Sequence, residues 1–201
     1  MAGIQRLRRF VQGMTKLADA GACETRWLHE GHNLLAELVA QDDWLPDEFA
    51  QAGPSYRQYL LHCDPLERFS VVSFVWGPGQ RTPVHDHLVW GMIGMLRGSE
   101  IATNYAVSPD GAPMQVLGRD TLSPGQVEHV TPGGQDIHVV ENAYADRASI
   151  SIHVYGGNIG AISRHVFNPG TSAPKRFISG YTNTVVPNLW DRSDEMKAAA
   201  V

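Results

Sequence analysis

Cysteine is nearly missing from this chain: only Cys23 and Cys63 occur among 201 residues. Their spacing makes neither a disulfide framework nor a cysteine-rich metal motif, and a reducing, cytoplasmic setting is expected. Long hydrophobic runs are missing as well. No stretch approaches the roughly 18 apolar residues of a membrane span, and the N-terminus carries no signal-peptide segment with a cleavage site, so no membrane partner is expected. Excess positive charge is the third absence. Sixteen Lys and Arg face 21 Asp and Glu for a net charge of −5, and the densest basic run is Arg6-Leu7-Arg8-Arg9. Nucleic acid needs a concentrated positive surface, which argues against it as the main partner. The short basic run suits the solvated face of a helix. What is present is the composition of a globular protein, 43% hydrophobic and 18% charged, with enough apolar residues for a substantial core. The length suits a single domain over 1–201. No feature of the sequence sets an oligomeric state. Histidine, at nine residues, stands out.

The first third, 1–55, reads as helical. Ile4, Leu7, Phe10, Val11, Met14 and Leu17 recur at intervals of three and four, with Gly21 as a stop. A second helix is expected over His32–Gln41. A short third helix is expected near Pro46, with Asp47 and Glu48 in its first turn. Gly53-Pro54 closes this region. From Phe69 the character changes to β-branched and aromatic. Strands are expected at Phe69–Trp76, Val89–Leu96, Glu100–Tyr105, Gln115–Leu122, Ile137–Val140, Ser149–Tyr155 and His165–Phe167, separated by Gly- and Pro-rich turns. Short strands at this rhythm predict a sandwich, jelly roll or barrel over 56–190. Asp191–Val201 reads as a loose tail.

His85 and His87 flank one residue. In an extended strand, side chains two apart share a face, so both imidazoles point one way and make half of a transition-metal site. Gly79, His85, His87, Gly91 and Gly98 follow the spacing of the first cupin motif. Gly125, Pro132, Gly134, His138 and Asn142 follow the second, with two spacers each one residue longer than usual. Residues from about 69 to 167 thus resemble the cupin superfamily. That resemblance implies a mainly β fold, a jelly-roll-type cupin β-barrel, here with a few N-terminal α-helices. An isolated His-x-His is as readily a surface or core pair; His138 and both glycine frameworks favour the metal site. The usual motif has Glu where Gly91 stands. Three neutral imidazoles leave a divalent metal its full charge, which favours thiolate or carboxylate ligands at open positions. Three histidines also suit catalytic zinc, so spacing does not choose the metal. His29, His32, His62, His129 and His165 lack such a framework and read as ordinary surface or core residues.

The run Ser149-Ile-Ser151-Ile-His153-Val-Tyr155 alternates strictly, so Ser151, His153 and Tyr155 share one face. If the isoleucines pack against an outer layer, the barrel lumen receives a hydroxyl, an imidazole and a phenol in a row. Such a row can hydrogen-bond in sequence and hold the phenol as a positioned proton donor. A two-sided strand with its polar face in solvent is the equal alternative.

Together, His-x-His, the later His138-Val-Val-Glu-Asn142 and Ser-x-His-x-Tyr resemble the thiol dioxygenases of the cysteine dioxygenase family. These are single-domain cupins with N-terminal helices that hold one ferrous iron by three histidines and add both atoms of O2 to a thiol. The resemblance implies Fe(II), one per chain, on His85, His87 and His138. It also implies an outer-sphere triad of Ser151, His153 and Tyr155. Mammalian members carry a cysteine crosslinked to the triad tyrosine; that position falls at Gly91, so the crosslink is absent. Their carboxylate-binding arginine, in a Tyr-x-Arg segment, is replaced here by Gln58 in Tyr56-Arg57-Gln58. Glutamine there resembles the bacterial branch acting on 3-mercaptopropionate, in which an arginine after the triad strand takes the carboxylate. Arg164 is the matching residue, Arg81 a weaker substitute, and Gln58 and Tyr56 are expected to line the pocket. The implied partners are a small thiol carboxylate and O2. The alternatives are an L-cysteine dioxygenase with a rearranged carboxylate site, a non-enzymatic small-anion-binding cupin, and a zinc or nickel hydrolase or isomerase.

Overall fold

The chain is described as a computed structural model over residues 4–133 and 136–199. Gly134, of the second glycine framework, lies outside the described residues. Helix α1, Ile4–Asp19, buries Leu7, Phe10, Val11, Met14 and Leu17 on one stripe, and Gly21 at φ +60° stops the chain just after it. Helix α2, Glu24–Val39, starts well before the expected His32. Trp27 and Gly31 extend its buried stripe upstream, and a Cβ on Gly31 would stand 2.8 Å from Met92 Cε. The expected third helix is a single 3-10 turn, Asp47–Phe49.

Eleven strands follow among the described residues: β1 Arg57–Cys63, β2 Ser70–Trp76, β3 Val84–His85, β4 Gly91–Arg97, β5 Glu100–Ala106, β6 Gln115–Leu122, β7 Val127–Val130, β8 His138–Asn142, β9 Ser149–Tyr155, β10 Arg164–Phe167 and β11 Pro174–Phe177. They form two antiparallel sheets, ordered β1-β2-β9-β4-β7 and β11-β10-β3-β8-β5-β6. The fold is a mainly β jelly roll of the cupin type. Its two sheets keep separate hydrogen-bond ladders, so the expected closed barrel is two facing sheets.

The first sheet is buried on both faces, which is why every residue of β2 and β9 is buried. Val71, Val75, Ile150, Ile152 and Val154 face the helices and join Leu7, Phe10, Met14, Trp27 and Leu35 in the main core. Val72, Phe74, Trp76 and Tyr155 face the second sheet and pack with Val140. Each such fully buried aliphatic side chain contributes about 1.5–3 kcal/mol. Helix α2 crosses β4 at Gly94, where a Cβ would stand 2.9 Å from both Leu35 Cγ and Val39 Cγ1.

The C-terminal region is more ordered than a loose tail. Thr182 N donates to Gln58 O at 2.8 Å and Leu60 N donates to Asn183 Oδ1 at 2.8 Å, covering the edge of β1. Ser193–Ala199 forms helix α3, correcting the expected tail. Arg8, buried in α1, donates to Glu195 Oε1 at 2.7 Å and to the Leu189 carbonyl. A buried guanidinium needs such partners, and these draw the segment back onto α1.

Candidate metal centre

His85 at the end of β3, His87 two residues on, and His138 at the start of β8 converge between the sheets. His85 and His138 are register partners. The three rings form a near-even triangle, with centroids 4.8, 5.0 and 4.9 Å apart. One ligand nitrogen from each lies within 4.8 Å of the others, and all three side chains are buried. His85 Nδ1 donates to the Pro83 carbonyl at 3.1 Å, and His87 Nδ1 lies 2.7 Å from Asp136 Oδ1. In both rings this leaves Nε2 for a metal. Burial, reinforced by the neighbouring imidazoles, holds His85 well below the usual histidine range and His138 down to about 3. Buried and convergent, this donor set fits a divalent transition metal.

Asp136 was not singled out by sequence, although its place two residues before His138 is a usable signal. Its carboxylate accepts from His87 Nδ1 and also from the backbone N–H groups of His87 and Leu88. Leu88 sits at φ +60°, and these bonds hold that left-handed turn. Burial would raise the Asp136 carboxyl, but the bonds from His87 and Leu88 outweigh it and leave it below the usual range. Asp86, between the two histidines, points away and takes the His165 N–H at 2.7 Å and His165 Nδ1 at 2.8 Å.

On β9 the alternation places Ile150, Ile152 and Val154 against the helices and Ser151, His153 and Tyr155 on the interior face. Ser151 Oγ lies 2.8 Å from His153 Nε2, and His153 Nδ1 lies 2.8 Å from Tyr155 Oη. Tyr155 stacks on His87 at 5.4 Å between centroids. Burial keeps His153 well below the usual histidine range and raises the Tyr155 phenol, so both are neutral. Gly91 pairs with Tyr155 across β4 and β9. A Cβ there would stand 2.7 Å from Val130 Cγ2 and 2.9 Å from Tyr155 Cδ1.

A cavity of about 30 Å³ opens beside the histidines, lined by Tyr56, Gln58, Phe74, Thr82, Pro83, His85, Tyr155, Arg164, Phe177 and Ser179. It brings together all three residues expected to meet substrate, Arg164, Gln58 and Tyr56. Arg164 is 4% exposed. Its Nη2 donates to Ser179 Oγ at 2.8 Å, its guanidinium lies 4.7 Å over the Phe177 ring, and its Nε is buried with no hydrogen-bond partner. Burial lowers its pKa, opposed by Tyr155 and Tyr56. Phe177 and Ser179 lie in and after β11, a strand without a sequence signature. Arg81 is exposed, its backbone pairs with that of Glu141 in an isolated β-bridge, and it is not among the residues lining the cavity. A larger groove, about 110 Å³, lies on the helical layer between Arg6, Arg9 and Leu34 and contains no histidine. Of the remaining histidines, His32 and His129 pair at 3.0 Å and His62 packs on Phe69.

The sequence profile of the family described as cysteine dioxygenase type I matches residues 54–177. Among solved structures, the chain is similar to the protein TT1209 from Thermus thermophilus, with 19% identity over 55% of this chain and 92% of that one and a TM-score of 0.44. A cupin 2 conserved barrel domain protein from Salinispora arenicola shares 21% identity over 57% of this chain and 86% of that one, with a TM-score of 0.41. A cupin superfamily protein from Desulfitobacterium hafniense shares 13% identity over 59% and 94%, also with a TM-score of 0.41.

Proposed function

The chain belongs to the cysteine dioxygenase type I family, and on that footing we propose that it is an iron(II)-dependent thiol dioxygenase acting on 3-mercaptopropionate. The reaction would form two sulfur–oxygen bonds. Sulfur loses four electrons, O2 takes all four, and 3-sulfinopropionate forms with the thiol proton released, so no further reductant is needed. His85, His87 and His138 would hold one ferrous ion per chain. Iron held there would supply the redox chemistry between O2 and sulfur.

The observation that carries the substrate assignment is the state of Arg164. Its guanidinium is buried beside the cavity with Nε unpaired, and a substrate carboxylate would satisfy it through charge-assisted bonds. No carboxylate is among the described lining residues, so an ammonium group would enter without a counter-ion. This favours 3-mercaptopropionate over L-cysteine. Gln58 and Tyr56 would contact the ligand on the β1 side. Tyr155, un-ionised and held by His153, would donate a hydrogen bond to the ligand or to the oxygen it gains.

The test is O2 uptake and sulfinate formation by iron-loaded protein, with one O2 consumed per 3-mercaptopropionate. Fully iron-loaded protein that oxidises neither 3-mercaptopropionate nor L-cysteine would sink the assignment. L-Cysteine is the second reading, favoured by the family description, and the ratio of kcat/KM for the two thiols decides between them. A non-enzymatic cupin would bind thiol carboxylates without consuming O2. A zinc or nickel hydrolase would work equally well without air.

A further inference from the structure

The hydrogen-bonded row does not end at Ser151. Glu100, the first residue of β5, directs its carboxyl from the second sheet toward β9 in the first. It is 2% exposed, and Oε1 accepts from Ser149 Oγ at 3.4 Å. Ser151 and the Trp76 indole also act on this carboxyl, while Oε2 is buried with no hydrogen-bond partner. Among the described residues it forms no ion pair, and its hydrogen bond comes from Ser149. Titratable groups that act on it include Glu128 on β7 and Tyr155 at the far end of the row. Burial pushes Glu100 up to about 8, with Glu128 adding to the rise and bonds from Ser151, Ser149 and Trp76 opposing it.

Ser151 has one proton and two neighbours able to take it. One is His153 Nε2, at 2.8 Å; the other is a Glu100 carboxylate. An ionised Glu100 would win, because a charge-assisted bond is the stronger. His153 would then donate from Nε2 to Ser151 and accept the Tyr155 proton on Nδ1, leaving only the phenol oxygen toward the cavity. A carboxylic acid at Glu100 runs the row the other way. Glu100 donates to Ser151, Ser151 to His153 Nε2, His153 Nδ1–H to Tyr155, and Tyr155 to the cavity. Trp76 Nε1, 3.3 Å from Ser151 Oγ, is donor-only and satisfied in both states. Passing from one state to the other moves each hydrogen one bond along, and the proton lost leaves from Tyr155.

We propose that Glu100 is a positioning residue whose carboxylic acid sets the direction of this row, so that Tyr155 presents its hydroxyl proton to the cavity. The direction belongs to the protein alone; what Tyr155 donates to rests on the thiol dioxygenase reading.

The imidazole reports the direction. In full-length, zinc-loaded protein labelled with 15N-histidine, His153 is expected to carry its proton on Nδ1 at pH 6.5 and on Nε2 at pH 9.5. In Glu100→Gln, whose amide N–H donates toward Ser151 at either pH, the proton is expected on Nδ1 throughout. A proton on Nε2 at pH 6.5 in the unsubstituted protein overturns the proposal. So does an unchanged tautomer at pH 9.5, or a switch that survives E100Q. The readings on the unsubstituted protein need no variant, so they decide the matter even if E100Q does not fold. In the iron-loaded enzyme, kcat/KM is expected to fall about tenfold per pH unit above about pH 8, and E100Q is expected to lack this limb. A limb that persists in E100Q also overturns the proposal. A protein that switches tautomer yet oxidises no thiol supports Glu100's role and refutes the dioxygenase reading.

Discussion

Any side chain at Gly91 must displace both Val130 and the Tyr155 ring, because both lie inside 3 Å of the first carbon it would add. The sequence showed this position as a missing carboxylate ligand and as the place of an absent crosslinking cysteine. The fold gives it a second role, making room for an unmodified phenol against His87. Gly91→Ala is expected to cost about 1–3 kcal/mol by overpacking and to lower kcat more than it raises KM. Thermal unfolding and steady-state kinetics measure the two effects. Arg164→Lys keeps a positive charge but loses the planar fork. It is expected to raise KM for 3-mercaptopropionate about tenfold or more, an energy on the scale of one charged hydrogen bond, with a smaller change in kcat. An unchanged KM would remove Arg164 from the substrate site. His85, His87, His138 and the Ser151-His153-Tyr155 run were legible because two-residue spacing and turn glycines are local signals. Asp136 and Glu100 were not, since an acidic residue becomes informative only when its burial and its distant partners are known.

Strands differ sharply in how far they announce themselves. β9 was legible to the residue because its alternation separates the helix-facing Ile150, Ile152 and Val154 from the interior row. β2 showed as an apolar run because both its faces are covered. β11, Pro-Lys-Arg-Phe, exposes three of its four residues and so carries no burial pattern to read. β3 is only two residues long, below any periodicity. Helix α3 is anchored by Arg8 across 187 positions, a link no local pattern contains. The contact between α2 and β4 depends on Gly94. Gly94→Val would drive Leu35 and Val39 off the sheet, and a loss of about 1–3 kcal/mol is expected. Urea unfolding measures it, and metal affinity of the folded fraction is expected to change little, since the contact lies on the helix-facing side of β4.

For the molecule as a whole, the strand rhythm foretold a jelly roll, while the pairing order depended on contacts far apart in sequence. β3, β8 and β10 meet in one sheet, so the metal site draws on regions that gain definition only together. Metal should therefore stabilise the entire fold by mass action. An excess of one hundredfold over Kd contributes about 2.7 kcal/mol. A chelator is expected to lower Tm and added ferrous iron to restore it, as thermal unfolding with and without metal would show. Asp86 gives this unity a further consequence. It ties the loop of His85 and His87 to His165, the neighbour of Arg164, so the two ends of the cavity are set like the jaws of a calliper. On the proposed function, a thiol acid held between them would be gauged by its length. Mercaptoacetate and 4-mercaptobutyrate, one carbon short and one carbon long, are each expected to lose roughly 10-fold or more in kcat/KM.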